Sequence, residues 1–216
     1  MDKAKGLNKQ EVASVAADLE HKQSAKRRSA AKKIGKFLIV ELGNSLFEAY
    51  LIEREDKRTW ETQAEMIKAL GRIRYKKLLP YVTEIIKNNI ELDAITMDAA
   101  TAFVRLKMKT AQDVSPIYQL FGTGKHSVLC GAVNALSYDK VIPKKEDMHR
   151  LIKIVNESVH LRNSGVMDTR EVLISAMTNW PEEVVAKHLE EYKKTRSISR
   201  DMINDALKGK TYYKEY

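Results

Sequence analysis

A short pattern recurs along this chain at a period sized for a pair of helices. Lys32-Lys33-Ile34-Gly35 is matched by Lys68-Ala69-Leu70-Gly71, with the anchors Ile34 and Leu70 36 residues apart. Another 36 residues bring Leu106, in Val104-Arg105-Leu106-Lys107; Phe103, one helical turn earlier, is the alternative anchor of that unit. Asn134-Ala135-Leu136-Ser137 and Ser175-Ala176-Met177-Thr178 follow after 30 and 41 residues. Repeats of this length are supersecondary units that cannot bury their apolar faces alone, so each must stack on its neighbour.

Each anchor sits on a helical stripe with i, i+3, i+4, i+7 spacing. The stripes are Met66, Ala69, Leu70 and Ile73; Ala99, Ala102, Phe103 and Leu106; Leu129, Ala132, Val133 and Leu136; and Leu173, Ala176, Met177 and Trp180. In the first unit Ala30, Ile34 and Phe37 fit, and Lys33 is the exception. A second apolar helix follows each: Leu42, Leu46, Phe47, Tyr50 and Leu51; Leu78, Leu79, Val82, Ile85 and Ile86; Val114, Ile117, Leu120 and Phe121; Met148, Leu151, Ile152 and Val155; Val184, Val185, His188, Leu189 and Tyr192. The four prolines, Pro80, Pro116, Pro143 and Pro181, fall between the helices of a unit or in the first turn of the second. Proline is tolerated there because a first-turn amide has no intrahelical partner. Small residues beside the anchors allow close helix approach.

Helix stops are expected at Asn88-Asn89, Gly122-Thr123-Gly124 and Asn163-Ser164-Gly165, and a cap from Asp168 or Thr169 with Glu171 in the first turn. Residues 1–23 read as a leader helix striped by Val12, Val15, Ala16 and Leu19; residues 24–192 as the repeat domain; residues 193–216 as a capping helix and a frayed tail.

These units resemble HEAT repeats. The likeness rests on the period, on Ala69-Leu70-Gly71 closing a first helix, and on Leu78-Leu79-Pro80-Tyr81-Val82 opening a second. It implies an all-α, right-handed α-solenoid of about five two-helix repeats, with a concave surface suited to extended partners. HEAT-like proteins are mostly scaffolds and adaptors. The aspartate and arginine of strong HEAT units are not regular in this chain, and the aromatic positions of TPR repeats do not recur.

Catalytic constellations are not evident. His21, His126, His149, His160 and His188 are dispersed, with no metal-binding spacing; His188 reads as a core histidine. Gly122-Thr123-Gly124-Lys125 lacks the spacing and strand of a phosphate loop. The single cysteine, Cys130, lies in an apolar run and reads as buried; it rules out an internal disulfide framework. No cofactor is indicated. No signal-type apolar core opens the sequence, and no apolar run exceeds four residues, so neither secretion nor membrane insertion is expected, and a cytoplasmic location is.

The net charge of +9 points to an acidic partner or to a well-solvated surface. Stacking would line up the turns within units, and these carry Lys32 and Lys36; Arg72, Arg74, Lys76 and Lys77; Lys107 and Lys109; and Lys140, Lys144 and Lys145. Glu182 and Glu183 break the series. Such a ridge can track phosphates, or its lysines can simply complement helix C-termini. Two functions follow: an adaptor binding a protein partner, acidic or otherwise, and a binder of DNA or RNA along the basic edge. One family of bacterial alkylpurine DNA glycosylases is built from HEAT-like repeats with a basic concave surface, and this chain is similar in length and charge. Its aromatic and carboxylate site does not map here, because Trp60 and Trp180 lie far apart and Trp180 is on a core stripe.

Overall fold

The computed structural model describes residues 7–88, 90, 92–122, 125–157, 168–195, 198–210 and 215–216. Among them every regular element is helical and there is no strand. The five anchors lie on α2 (Ser24–Phe37), α4 (Trp60–Arg72), α6 (Ala94–Lys107), α8 (His126–Tyr138) and α10 (Thr169–Met177). The helices after them are α3 (Gly43–Glu53), α5 (Leu79–Asn88), α7 (Ser115–Phe121), α9 (Lys145–Glu157) and α11 (Glu182–Tyr192). α1 (Lys9–Leu19) precedes the series and α12 (Arg200–Leu207) follows it. The stop at Asn163-Ser164-Gly165, the pair Thr123-Gly124, Asn89, His160 and residues 211–214 lie outside the described residues.

α2, α4, α6, α8 and α10 pack one on the next in chain order, and α10 meets α12. Each intervening helix lies against the first helix of the following unit: α3 on α4, α5 on α6, α7 on α8, α9 on α10 and α11 on α12. α1 closes the start against α2 and α3, burying Val15 and Leu19. Its first turn is held by reciprocal hydrogen bonds between Asn8 and Glu11, which satisfy two otherwise unpartnered amides. Asp168 caps α10, accepting from the Arg170 amide at 2.9 Å.

The apolar stripes of the first helices are buried as the periodicity predicts, apart from half-buried Phe37, and Lys33 is exposed; on the second helices Leu51, Leu79, Ile85, Ile86, Phe121 and His188 are half-buried. Burial of the first helices goes further than one stripe. Residues 126–137 of α8 are all buried, because α6, α7 and α10 all pack on it. Polar groups on these faces are bonded across the helices: Thr101 donates to the Gly131 carbonyl at 2.8 Å, and the Ser137 and Ser175 hydroxyls meet at 2.8 Å. Such bonds offset the desolvation of the buried hydroxyls.

The recurring anchors have a backbone role as well. The carbonyls of Ile34, Leu70 and Leu136 accept from the amides five residues on, Ile39, Tyr75 and Val141, at 3.1, 2.9 and 2.9 Å. The residues between them, Leu38, Arg74 and Lys140, take left-handed φ of 54°, 54° and 50°. This is a Schellman-type close, with the following apolar residue folded back on the helix. The third unit departs from it: Met108 has φ −55° and bonds to Val104 instead. A left-handed conformation costs a non-glycine residue about 1–2 kcal/mol. Lys140 is exposed, so Lys140→Gly is expected to raise stability by about 1 kcal/mol in urea denaturation. An unchanged or lowered midpoint would count against this account of the turn.

At the end of the sequence, two residues beyond the undescribed 211–214 have a defined place. Glu215 and Tyr216 lie against the first helices, with the Glu215 side chain only 2% exposed. Two arginines supply the reason.

Candidate binding face

The face of the first-helix row away from the anchors is polar. On α4, Trp60, Ala64, Lys68 and Arg72 are spaced four apart and so form one line along the helix. α2 contributes Ala25, Arg28, Ser29 and Lys32 alongside, and α6 contributes Ala94 and Asp98. These residues, with Glu61 and Glu65, line an open groove of about 580 Å³ across three helices. Trp60 is 48% exposed at its mouth. Arg28 pairs with Glu61, and Lys68 reaches Glu65 at 2.9 Å.

Beyond Lys68 the same face carries two guanidinium groups. Arg105, on α6, is 1% exposed. One edge is fixed by Asp139, with Nε to Oδ2 at 2.9 Å and Nη2 to Oδ1 at 2.6 Å. The other edge holds Glu215, with Nη1 to Oε1 at 2.7 Å and Nη2 to Oε2 at 2.8 Å. Arg72 adds a third bond, Nη1 to Glu215 Oε2 at 2.7 Å. A planar guanidinium fork matches a carboxylate in this bidentate way, which a lysine could not do. Burial opposes the Arg105 charge, but bonds to Glu215 and Asp139 outweigh it and raise the pKa above its ordinary value. Burial likewise opposes the Glu215 charge, and Arg105 and Arg72 overcome it, holding the carboxyl below the usual range.

Asp98 lies on this face with the opposite balance. Burial pushes its carboxyl up to about 7, against the attraction of Lys68 and Arg105 and with repulsion from Glu65 and Glu215. A folded pKa above the unfolded value means that the fold favours the protonated acid. That contribution is full below pH 4 and is lost as pH rises through about 7. Asp98→Asn is therefore expected to stabilise by about 1–3 kcal/mol at pH 8 and by much less at pH 5. Thermal unfolding of both proteins at the two pH values checks this; a benefit that does not vary with pH contradicts it.

The basic residues expected on one ridge are distributed over several settings. Lys32 lines the groove, and Arg72 belongs to the Glu215 clamp. Arg74 and Lys140 line one hollow of about 290 Å³, together with Met108 and Asp139, so the turns after α4, α6 and α8 meet there. Lys109 and Lys144 line a second hollow of about 510 Å³, with Tyr118, Asp147 and Arg150. Lys76 donates to the Leu106 carbonyl near the end of α6, the dipole-complementing role that needs no ligand. Lys36 and Lys107 lie near the rings of Phe37 and Phe103, at 5.6 and 5.9 Å. Lys77 and Lys145 are exposed.

Arg105, Lys68, Asp98 and Glu215 escape sequence reasoning. A charged residue inside the apolar run Ala102-Phe103-Val104-Arg105-Leu106 is the signal that could have found the first. Cys130 is buried, and burial pushes its thiol up to about 12, so it carries no thiolate at neutral pH. Trp180 is buried and donates from Nε1 to the Val141 carbonyl at 3.0 Å, a core role. Half-buried His188 lies 3.7 Å from Glu191. Among the described residues no cluster of His, Cys, Asp or Glu is arranged to hold a metal ion, and no helix is long and apolar enough to cross a membrane. Comparison with protein-family models, curated proteins and solved structures returns no match for this chain.

Proposed function

We propose that this chain is a HEAT-like α-solenoid adaptor that binds an acidic, extended segment of a partner protein along its first-helix face. The observation that carries the reading is the continuity of that face. Trp60, Lys32 and Lys68 border the groove, and the two arginines beyond them hold a carboxylate. The groups sit on helices packed directly on one another, so they are held in place before a ligand arrives, which lowers the ordering cost of binding. The repeat assignment is supported by chain-order packing and by the turn geometry shared by three of the five units.

The test is fluorescence polarisation with a labelled peptide of glutamate–tyrosine repeats. Lys32→Glu combined with Trp60→Ala is expected to weaken binding about tenfold or more, equivalent to roughly 1.4 kcal/mol. Binding that ignores both changes would sink the proposal.

A second reading is favoured by the meeting of Arg74 with Lys140, and of Lys109 with Lys144. Nucleic acid would run along this edge by phosphate contact, so its binding would fall steeply with salt. Single- and double-stranded DNA and RNA belong in the same polarisation series. Tight, salt-sensitive binding that is weakened by reversing these four charges would replace the adaptor reading.

A further inference from the structure

We infer that the pocket over Arg72 and Arg105 is a receptor for a glutamate–aromatic segment of a partner protein, and that Glu215–Tyr216 is the chain's own competitor for it. The inference rests on the reading above, that the first-helix face binds protein.

Each half of the motif has a fitted place. Asp139 fixes one edge of Arg105 and leaves the other to a carboxylate, which Glu215 fills. Arg72 has Glu215 as its one ion-pair partner among the described residues. The aromatic half depends on Gly35. A Cβ at that position would lie 2.3 Å from the Tyr216 hydroxyl and 3.0 Å from its Cζ, so any side chain at 35 would close the space the ring uses. The Arg72 guanidinium lies 5.3 Å from the centre of the Tyr216 ring, within cation–π range.

The tail fits the pocket incompletely. Arg72 Nε is buried here without a hydrogen-bond partner, while the Tyr216 hydroxyl has the Glu65 carboxylate beside it. Buried groups left in this state weaken the fold. A segment that reached Arg72 Nε as well would bind better than the tail does. A tethered segment competes at high effective concentration. A second copy of the same tail would therefore lose to the one in cis, whereas a partner segment that also satisfies Arg72 Nε would not. This points to another protein as the ligand.

The experiment uses the full chain carrying Glu215→Gln and Tyr216→Ala, and a labelled peptide of residues 207–216 as probe. The emptied pocket is expected to bind this peptide at least tenfold more tightly than the wild-type chain does. Adding Arg72→Gln is expected to abolish the gain, as is changing the peptide's Glu215 equivalent to glutamine. Arg72 is partly exposed, so its variant stays informative if Arg105→Met fails to fold. No binding to the emptied pocket, or binding indifferent to Arg72, would overturn the inference. If glutamate–tyrosine repeats still bind through Lys32 and Trp60, that failure leaves the adaptor reading standing; if neither peptide binds anywhere, both fall. A wild-type chain that dimerises through exchanged tails would make the second copy the ligand and overturn the assignment to a partner protein.

Discussion

Replacing Gly131 with alanine is expected to lower stability by about 3 kcal/mol, the upper end of typical overpacking costs. A Cβ there would lie 2.1 Å from the Met97 carbonyl oxygen, 2.8 Å from Ala100 Cβ and 2.9 Å from the Met97 carbonyl carbon. Two of these atoms are backbone on α6, so no rotamer change relieves the clash; the helices must separate. Separation would also stretch the 2.8 Å bond from Thr101 to the Gly131 carbonyl. Alanine's better helix propensity returns about 1 kcal/mol, which does not offset this. Gly122 is the control, because a Cβ there meets nothing within 4 Å. Urea denaturation of the two alanine variants gives the comparison. Equal midpoints would mean that α6 and α8 are not as close as described.

Arg105→Met is expected to cost about 3 kcal/mol at neutral pH, the usual scale for removing one partner of a buried ion pair. The stem is replaced by similar apolar volume, so most of the loss comes from the carboxylates left behind. Asp139 is 28% exposed and recovers some hydration, while Glu215, at 2%, must leave the pocket or stay beside Arg72 alone. In a chain already carrying Glu215→Gln, the same change should cost about 1 kcal/mol less, since one stranded charge is gone. A double-mutant cycle by chemical denaturation measures the difference. Strict additivity would show that Arg105 and Glu215 do not interact in the folded chain.

The groups in these two predictions differ in how far they can be read from sequence. Gly131 stands in a helical stripe between Leu129, Ala132 and Val133, where a small residue already implies close packing. The helices, the buried faces marked by Ile34, Leu70, Leu106, Leu136 and Met177, and the positions of the four prolines are equally local. They depend on spacings of three, four and seven residues, and helix geometry converts such spacings into faces without reference to the rest of the chain. The charged face depends on other distances. Arg105 meets Asp139 34 residues on and Glu215 110 residues on, and Arg72 meets Glu215 143 residues on. Nothing periodic links these positions, and the strength of a charge pair is set by spatial separation and by how much water is excluded. Along the sequence Arg72 reads as one more basic residue near the end of a helix, and Glu215 as part of a charged tail. Stacking brings α4, α6 and the turn after α8 to one side, and there a buried guanidinium holds the Glu215 carboxylate, a contact that the composition of the end does not reveal.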